Sequence, residues 1–423
     1  MRVVQVVHQY PPSHVGGTEL YTQSVSRALA GRGHQVTVFC RESRPRGGLE
    51  DAIEEGVHVL RMWSGTPGPA RRFLATFGDR AARQFFEQSL DRIQPDIVHI
   101  QHLMGLPVAL IQCLRRRDIP FVVTLHDYWW LCANAQLITN YSGALCEGPR
   151  AYLNCACCVL ARARERPGRA QASGCSLWPV APALTPLLAW RGHLLRGALR
   201  QAQRLIVPSR FVERWYRSQG VGQGSIECIP HGVDVPRCLP DHRGAPAPLQ
   251  LAYVGGLSWQ KGVHVVVDAV TGLNVQLSVA GDESFDPYYV ASLRERAAAN
   301  VHFLGRLSCQ QVWELLSRSH AVLIPSLWHE TFSLIAHESF AAGVPVIASR
   351  VGALADAISD GGDGLLVMPG DDEAWRSALR RLVDESDLLP KLRSNVRPPM
   401  GLDEHVDRLE RLYQACQARA SLT

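Results

Sequence analysis

The sequence has almost no lysine. Of its 44 lysine and arginine residues only two are lysines, Lys261 and Lys391, and the net charge against 39 acidic residues is only +5. The basic side chains form no dense run of the kind that follows a nucleic-acid backbone, which argues against a nucleic-acid partner. The scarcity also draws attention to Lys261, an ammonium kept between two glycine-bearing turns of an arginine-rich chain.

Long apolar runs are missing as well. No stretch of 18 uncharged apolar residues occurs, and residues 1–7 contain one basic residue and too short an apolar run for a signal peptide. We therefore expect a cytoplasmic protein that does not span a membrane. The glycine turn after the first predicted strand does not fit G-x-G-x-x-G, which argues against a nicotinamide-dinucleotide enzyme.

What the sequence does contain is a repeated alternation of short apolar strands and helices. Predicted strands of a first series lie at 2–8, 36–40, 57–62, 97–101, 121–126 and 205–208. Those of a second series lie at 249–254, 275–280, 301–303, 321–325, 344–349 and 364–367. Buried strands interleaved with helices indicate an α/β fold with two doubly wound parallel sheets, that is, two Rossmann-like domains.

The predicted boundaries follow from this alternation. A first domain spans 1–235, a Pro/Gly-rich linker 236–248, and a second domain 249–400. The remaining residues, 401–423, contain an amphipathic helix over 403–420. A chain of 423 residues is long enough for two such domains with separate cores.

The first domain carries a Cys/Arg-rich insertion at about 130–200. Four of its cysteines, Cys132, Cys146, Cys155 and Cys158, make a structural zinc site plausible, whereas scattered buried thiols or a redox pair are the alternatives. Within this insertion, the Arg/Pro-rich stretch 162–204 has two interpretations: an irregular excursion with one solvated helix, or a basic, Trp-bearing surface that rests on anionic lipid.

Ligands of open α/β sheets bind beyond the carboxyl ends of the strands, so the turns there hold the candidate site residues. Gly16-Gly17 follows the first strand and allows backbone N–H groups to approach an anion. His126 follows a later strand, next to Asp127, and is expected in the same crevice.

Lys261 stands at the corresponding place in the second domain. Gly255-Gly256 turns the chain after strand 249–254, and Lys261-Gly262 opens the helix predicted over 263–270. A compact, flexible ammonium at a helix N-terminus is suited to phosphate, with an ordinary surface lysine as the alternative.

The most specific motif is a pair of glutamates, Glu330 and Glu338, separated by seven residues. Between them Thr331-Phe332-Ser333-Leu334 predicts the start of a helix that runs to Ala341. The free N–H groups at that start form an anion site, and the carboxylate of Glu338 could bind vicinal hydroxyls such as those of a ribose.

With these motifs the sequence resembles the family 4 glycosyltransferases, retaining enzymes of the GT-B fold that use nucleotide-sugar donors. The likeness covers nearly the whole chain and is strongest over 249–367. It implies two domains that face each other across a cleft, with the donor on the second domain and the final helix packed back on the first.

The resemblance also implies roles for the residues singled out above. Glu338 would bind the ribose hydroxyls and Lys261 the diphosphate, while His126 and the Gly16-Gly17 loop would approach from the acceptor side. Phosphate and sugar would be contacted by the backbone amides of Phe332, Ser333 and Leu334 and by the carboxylate of Glu330. Gly255, Gly256 and Arg306 are further candidate donor contacts.

The chain departs from the family pattern at Gly256, since an arginine usually stands five residues before the lysine. Its loss removes one phosphate cation, for which Arg210 or Arg350 could substitute. Ser333 stands where glycine is frequent, and His231 where asparagine is frequent.

The function implied is transfer of a hexose from a UDP- or GDP-sugar to a hydroxyl of a glycan or lipid-linked acceptor. No catalytic metal is expected, and the protein could contact the inner face of the cell membrane. The alternatives are a catalytically impaired nucleotide-sugar-binding or assembly protein and a nucleotide-sugar epimerase. A phosphorylase would need a lysine for pyridoxal phosphate, which two lysines make improbable.

Overall fold

The computed structural model describes residues 1–43, 48–65, 68–164, 179–222, 224–236 and 248–420. Most of the predicted linker 236–248 therefore lies outside the described residues. So do residues 165–178 of the Arg/Pro-rich stretch, which include a further cysteine, Cys175.

The first domain is built on an eight-stranded sheet. Its strands are β1 (Arg2–Val7), β2 (Gln35–Ser43), β3 (Gly48–Glu54), β4 (Val57–Ser64), β5 (Ile97–Ile100), β6 (Phe121–Thr124), β7 (Arg204–Val207) and β8 (Ile226–Cys228). Their order across the sheet is β3-β4-β2-β1-β5-β6-β7-β8. Every neighbouring pair is parallel except β3 with β4, which is antiparallel.

Seven helices belong to this half of the described chain. They are α1 (Gly17–Gly31), α2 (Pro69–Ala75), α3 (Arg80–Ile93), α4 (Ala109–Arg115), α5 (Leu153–Arg164), α6 (Ala181–Leu199) and α7 (Arg210–Ser218). They cover both faces of the sheet, and two apolar clusters that include strand residues fill the space between. Buried parallel strands need this cover on both faces.

The second domain has a six-stranded parallel sheet. Its strands are β9 (Leu249–Val254), β10 (Val275–Ala280), β11 (Val301–Gly305), β12 (Ala321–Ile324), β13 (Val346–Ser349) and β14 (Gly364–Val367). The helices are α8 (Val263–Ala269), α9 (Pro287–Arg296), α10 (Cys309–Arg318), α11 (Leu334–Ala341), α12 (Leu354–Ala357), α13 (Asp372–Asp384) and α14 (Leu388–Ser394). The strand order β11-β10-β9-β12-β13-β14 is that of a Rossmann sheet, so the expected α/β class with two such sheets is confirmed.

The last helix, α15 (Leu402–Ala420), lies on the first domain. Its buried side chains, among them Leu409 and Tyr413, share an apolar cluster with Val25 and Leu29 of α1. A β-bridge between Val233 and Gly401 joins the two segments that pass between the domains. The chain thus crosses from one domain to the other twice.

The structure differs from the sequence-based expectations in three places. Strands β3 and β8 were not predicted. Helix α6 is only partly solvated, because its Trp190 is 52% exposed whereas its Arg191 is 2% exposed, donates to the carbonyl of Trp129 at 2.9 Å and has a pKa lowered to about 10 by burial. In the described ranges, no helix combines the length and apolarity that crossing a bilayer requires.

Candidate active site

Lys261 is positioned by a close approach of two backbone segments. It ends a short 3-10 turn, Trp259–Lys261, that follows β9, and Gly262 then adopts a left-handed conformation with φ of 69°. A Cβ atom at Gly262 would lie 1.9 Å from the carbonyl oxygen of Pro325, which follows β12. Only glycine permits this approach. It brings Lys261 to the carboxyl ends of β9 and β12, the point where the strand order reverses and where ligands of such sheets bind.

Glu330 lies at the same point and is the counter-ion of Lys261. Its Oε1 atom accepts from Lys261 Nζ at 2.8 Å, from Ser326 Oγ at 2.6 Å and from Trp328 Nε1 at 2.9 Å. Glu330 is 5% exposed, and the ammonium lies 5.0 Å from the ring centroid of Trp328. All three donors converge on Oε1, and within the described residues no side-chain donor is directed at the second carboxylate oxygen.

The backbone of Glu330 is also fixed. Its carbonyl oxygen accepts from the N–H of Ala353 at 2.8 Å. A Cβ atom at Gly352, which has φ of 55°, would lie 2.4 Å from that oxygen. The loop after β13 therefore clamps the residue between the end of β12 and α11.

The segment after Glu330 turns sharply into α11. Ser333 has φ of 67°, the left-handed region, and Leu334 is the first helical residue. Phe332 is buried and its ring stacks on that of His337, with centroids 3.8 Å apart. The first N–H groups of a helix lack intrahelical acceptors, so the amides at this turn are available to an anion, and a left-handed residue explains why glycine is frequent there.

Glu338 lies one turn further along α11, at a cavity of about 920 Å³. The cavity lies between the domains, where Arg27 of α1 and Asp234 face Cys309 of α10 and Leu334 of α11. Burial raises the pKa of Glu338 to about 7. The carboxyl is therefore only partly ionised at neutral pH without a ligand, and hydroxyl donors would favour its charged form.

His126 lies in the first domain after β6, buried among aromatic rings. Its Nε2 atom is 2.7 Å from Oε1 of Gln101. The rings of Tyr21 and His231 lie 4.9 Å and 5.0 Å from it, centroid to centroid. Desolvation, with the neighbouring His231 second, lowers the pKa of His126 well below its usual value, so the imidazole is neutral.

The Gly16-Gly17 turn faces the second domain directly. Gly16 is the N-cap of α1, and a Cβ atom at Gly17 would lie 3.7 Å from Cδ1 of Leu334. The starts of α1 and α11 thus meet across the cleft. Two helix N-termini pointing into one gap favour an anionic ligand between them.

Further contacts between the domains hold the Glu330 loop, and sequence analysis missed all of them. Tyr128 donates its hydroxyl to the carbonyl of His329 at 3.0 Å, and Ser209 donates to the carbonyl of Thr331 at 2.7 Å. The ring of Phe211 stacks on that of His329 with centroids 5.0 Å apart. The only sequence signal was that Tyr128 and Ser209 follow predicted strands of the first domain.

The glycine at the position of the family's usual arginine is exposed. A Cβ atom at Gly256 would meet no atom within 4 Å, and its carbonyl accepts from the hydroxyl of Tyr253 at 2.7 Å. Gly255, with φ of 159°, precedes it in extended backbone.

Three arginines that the sequence offers as donor contacts each have an acidic partner in their own domain. Arg210 pairs with Glu213 at 2.7 Å, while Arg306 lies 4.0 Å from Asp282. Arg350 pairs with Asp360. Within the described residues, the side chain of Lys261 contacts Glu330 and Trp328, and neither Arg210 nor Arg350 is among its partners.

The four cysteines named as zinc ligands line one small cavity of about 20 Å³. The sulfur of Cys158 accepts from Asn134 Nδ2 at 3.0 Å and from the N–H of Asn140 at 3.2 Å, and that of Cys146 accepts from the N–H of Gly148 at 3.4 Å. In the part of the chain that the structure describes, no three His, Cys, Asp or Glu side chains are grouped closely enough to hold a metal ion.

Comparison with known proteins agrees with this geometry. The family profile described as Glycosyltransferase Family 4 matches residues 15–237, and that described as Glycosyl transferases group 1 matches 241–398. Glycogen synthase from Mycobacterium tuberculosis is 27% identical over 91% of this chain and 86% of its own length. D-inositol 3-phosphate glycosyltransferase from Nocardiopsis dassonvillei is 26% identical over 96% of this chain and 91% of its own.

Solved structures show the same fold. Sucrose-phosphate synthase from Thermosynechococcus elongatus superposes with a TM-score of 0.73 at 19% identity and covers 99% of both chains. HepE of Anabaena, solved in complex with UDP and glucose, gives a TM-score of 0.65 at 14% identity over 98% of this chain and 100% of its own. These are GT-B structures, and since one family profile alone spans more than half of the residues, the chain belongs to the family 4, group 1 glycosyltransferases and is a transferase enzyme.

Proposed function

We propose that the protein is a retaining hexosyltransferase that uses a UDP- or GDP-sugar and a hydroxyl of a glycan or lipid-linked acceptor. The observation that carries the proposal is the Lys261–Glu330 pair at the strand-order reversal of the second sheet. A cation, a buried carboxylate and the start of α11 meet there, which suits a diphosphate joined to a sugar. The UDP and UDP-glucose complexes of HepE support a nucleotide-sugar donor.

In this proposal Lys261 and the N–H groups of Phe332, Ser333 and Leu334 bind the diphosphate, and Glu338 binds the ribose. Gly255 and Gly256 let the turn after β9 approach the donor. Arg306 and Asp282 stand beside the ends of β10 and β11, where they would contact the base or ribose. Glu330 would hold Lys261 through Oε1 and accept from a sugar hydroxyl through its other oxygen.

The transfer is a displacement on one face of the sugar. The bond from C1 to the phosphate oxygen breaks, and the acceptor oxygen forms its bond to C1 from the same side. The acceptor's proton passes to the leaving phosphate oxygen, so no protein nucleophile is needed. Lys261 and the α11 amides stabilise the negative charge that grows on the leaving group.

On the acceptor side, the neutral His126 and the Gly16-Gly17 turn would position the sugar and the attacking hydroxyl. A buried neutral imidazole makes directed hydrogen bonds without adding a charge. Removing it should therefore affect orientation more than charge stabilisation.

We also propose that Cys132, Cys146, Cys155 and Cys158 bind a structural zinc ion. Their common cavity and the N–H groups directed at two of the sulfurs support it, although the four sulfurs would have to move closer together than they lie in the described structure. Such a site would fix the segment that begins shortly after Tyr128, and so shape the acceptor side of the cleft.

Peripheral contact with anionic lipid at the inner membrane face is the last part of the proposal. Trp190 of α6 and Leu74 of α2 are 52% and 55% exposed, and Trp190 stacks on Phe77 at 4.6 Å. Cosedimentation with phosphatidylglycerol vesicles tests it. Binding should weaken in Trp190→Ser and stay unchanged in Phe285→Ser, an exposed aromatic of the second domain.

The decisive experiment on the function is release of UDP or GDP from a panel of nucleotide sugars, with and without glycan acceptors. We expect turnover with one donor and its loss in Glu330→Gln, together with α-configured product from an α-configured donor. Inverted product would contradict the retaining mechanism, and equal turnover in Glu330→Gln would contradict the site.

A further inference from the structure

A second polar site lies at the strand-order reversal of the first sheet. That reversal is between β1 and β5, since the chain builds outward from β1 through β2 and from β5 through β6. His8 directly follows β1 and His102 follows β5, and their rings lie 4.5 Å apart, centroid to centroid. Open α/β sheets bind ligands at the point where the strand order reverses. Neither His8 nor His102 belongs to the donor site proposed above.

Two adjoining cavities open here. The larger, of about 270 Å³, is lined by three arginines, Arg41, Arg71 and Arg72. The smaller, of about 50 Å³, shares Arg41, Arg72 and Gly105 with it and reaches His8. A continuous path therefore runs from the arginines of α2 and β2 to the end of β1.

The three arginines differ in their partners. Arg41 is neutralised, because it donates to Asp79 at 2.8 Å and to the carbonyl of Gly105 at 2.7 Å. Arg71 is exposed and Arg72 is half-buried. Neither side chain has an ion pair or hydrogen bond with any part of the chain that the structure describes. The carboxylate that lines the larger cavity, Asp79, is already paired with Arg41. A guanidinium without a carboxylate partner of its own is suited to an anionic ligand, which it can bind through two parallel N–H donors.

His8 adds a second unsatisfied group. Its Nε2 atom lies 3.1 Å from Oε1 of Glu19, so that nitrogen has its partner. Its Nδ1 atom is buried and, within the described ranges, has no hydrogen-bond partner. A ligand with a hydroxyl near its anionic group would satisfy the imidazole and the guanidinium together.

We infer that Arg72, with Arg71 beside it, binds a phosphate of the acceptor, and that His8 accepts a hydrogen bond from one of its hydroxyls. The inference rests on the proposed function, because the donor occupies the opposite wall of the cleft and leaves this site to the second substrate. The acceptor is thus a phosphorylated, hydroxyl-bearing compound. A soluble sugar phosphate and an isoprenoid diphosphate that carries a sugar share this chemistry.

The test measures binding of inorganic phosphate to the full chain by calorimetry, with UDP at saturation so that the donor site is filled. We expect Arg72→Gln to weaken phosphate binding at least tenfold and Arg72→Lys to weaken it less than threefold. Arg116→Gln has the same change of charge on an exposed residue at the end of α4, and should bind as the unchanged protein does. Lys261→Ala, measured without UDP, should still bind inorganic phosphate at the site beside Arg72.

Thermal unfolding of each variant checks that the fold is retained. Equal phosphate binding in Arg72→Gln and the unchanged protein would overturn the inference. So would loss of all phosphate binding in Lys261→Ala, because the anion would then belong to the donor site. Neither result would affect the transferase proposal, which depends on donor turnover and Glu330→Gln.

Two competitors then separate the sources of the phosphate. Glucose 6-phosphate displaces inorganic phosphate if the acceptor is soluble. Phosphatidylcholine vesicles that contain an isoprenoid diphosphate displace it if the acceptor is lipid-borne. The inference is supported if either competitor displaces inorganic phosphate from the unchanged protein and binds more weakly to Arg72→Gln. It is overturned if neither competitor displaces the phosphate.

Discussion

The Nζ atom of Lys261 lies 2.8 Å from Oε1 of Glu330, so each side chain is the other's counter-ion before any substrate arrives. The two belong to loops that follow different strands of one sheet. In the proposed function, a diphosphate that approaches Lys261 would therefore meet an ammonium already oriented, which lowers the cost of ordering this flexible side chain.

The first prediction uses the chain's shortage of lysine. Lys261→Ala should lower kcat/KM for the donor by about 10²–10³-fold, which corresponds to about 2.7–4 kcal/mol, because the leaving phosphate loses a preorganised cation. Lys391 in α14 is exposed, and Lys391→Ala is the matched control. Initial-rate kinetics on both variants provide the measurement, and unaltered turnover in Lys261→Ala would contradict the role of the ammonium.

A second prediction concerns the missing arginine. Gly256→Arg should tighten UDP binding by about tenfold, since one charge-assisted hydrogen bond contributes roughly 1.5–3 kcal/mol and part of it is spent on ordering the side chain. The site has space for a side chain, because a Cβ atom there meets nothing within 4 Å. Calorimetric titration with UDP measures the effect. Gly256→Gln controls for side-chain bulk. Equal affinities for UDP in the two variants would show that the added guanidinium does not contact the diphosphate.

The third prediction is a pH effect at Glu338. Its pKa of about 7 in the free protein means that acidification below pH 7 protonates the carboxyl and removes an acceptor for the ribose hydroxyls. Donor kcat/KM should therefore fall about tenfold per pH unit below 7 and level off above it. Glu338→Gln should lose this acidic limb. A pH profile that keeps the limb in Glu338→Gln would assign it to another group.

Zinc content provides the fourth prediction. Protein purified without chelator should contain about one zinc per chain, and removal of the metal should lower the melting temperature. Cys158→Ser should lose the metal. Cys228→Ser, a cysteine of β8 outside the insertion, should keep it. Elemental analysis that finds no zinc in the unchanged protein would dismiss the site.

A fifth prediction follows from buried histidines where α15 meets the first domain. Burial lowers the pKa of His99 to about 3 and that of His405 to about 4. Between an unfolded-state pKa of about 6.5 and these values only the unfolded chain binds the proton, so stability falls as pH decreases through this window. At pH 5 each histidine should cost about 2 kcal/mol relative to pH 7.

Urea titrations at pH 7 and pH 5 measure this cost. His405→Gln should reduce the difference in unfolding free energy between the two pH values. The exposed His302→Gln should leave it as it is. An unchanged difference in His405→Gln would remove this histidine from the explanation.

The fold could be predicted because buried parallel strands appear in the sequence as short runs of apolar residues. Strand β9, for example, was placed at 249–254 with the bounds that the structure has. Strand β3 was missed because it pairs antiparallel at the sheet edge and six of its seven residues are charged or exposed, with Ile53 79% exposed. Strand β8 is three residues long, too short to give a pattern.

The site was predictable to the same extent and for related reasons. Lys261 and Glu330 stand after strands, where sequence order and spatial position coincide. The contact of Ser209 with Thr331 joins residues 122 positions apart across two domains, and no local pattern contains that information. Arg72 was missed because the argument for it depends on its side chain having no ion-pair or hydrogen-bond partner. A sequence alone does not show which side chains are paired.

The placement of α15 has a consequence for how the protein is made. The apolar side of α1, with Val25 and Leu29, is completed only by residues near the end of the chain, including Leu409 and Tyr413. When the ribosome has translated the first 235 codons, the apolar side of α1 is therefore still uncovered. The second domain contains its own complete sheet and can fold before α15 packs on α1. The first domain is therefore synthesised first but completed last.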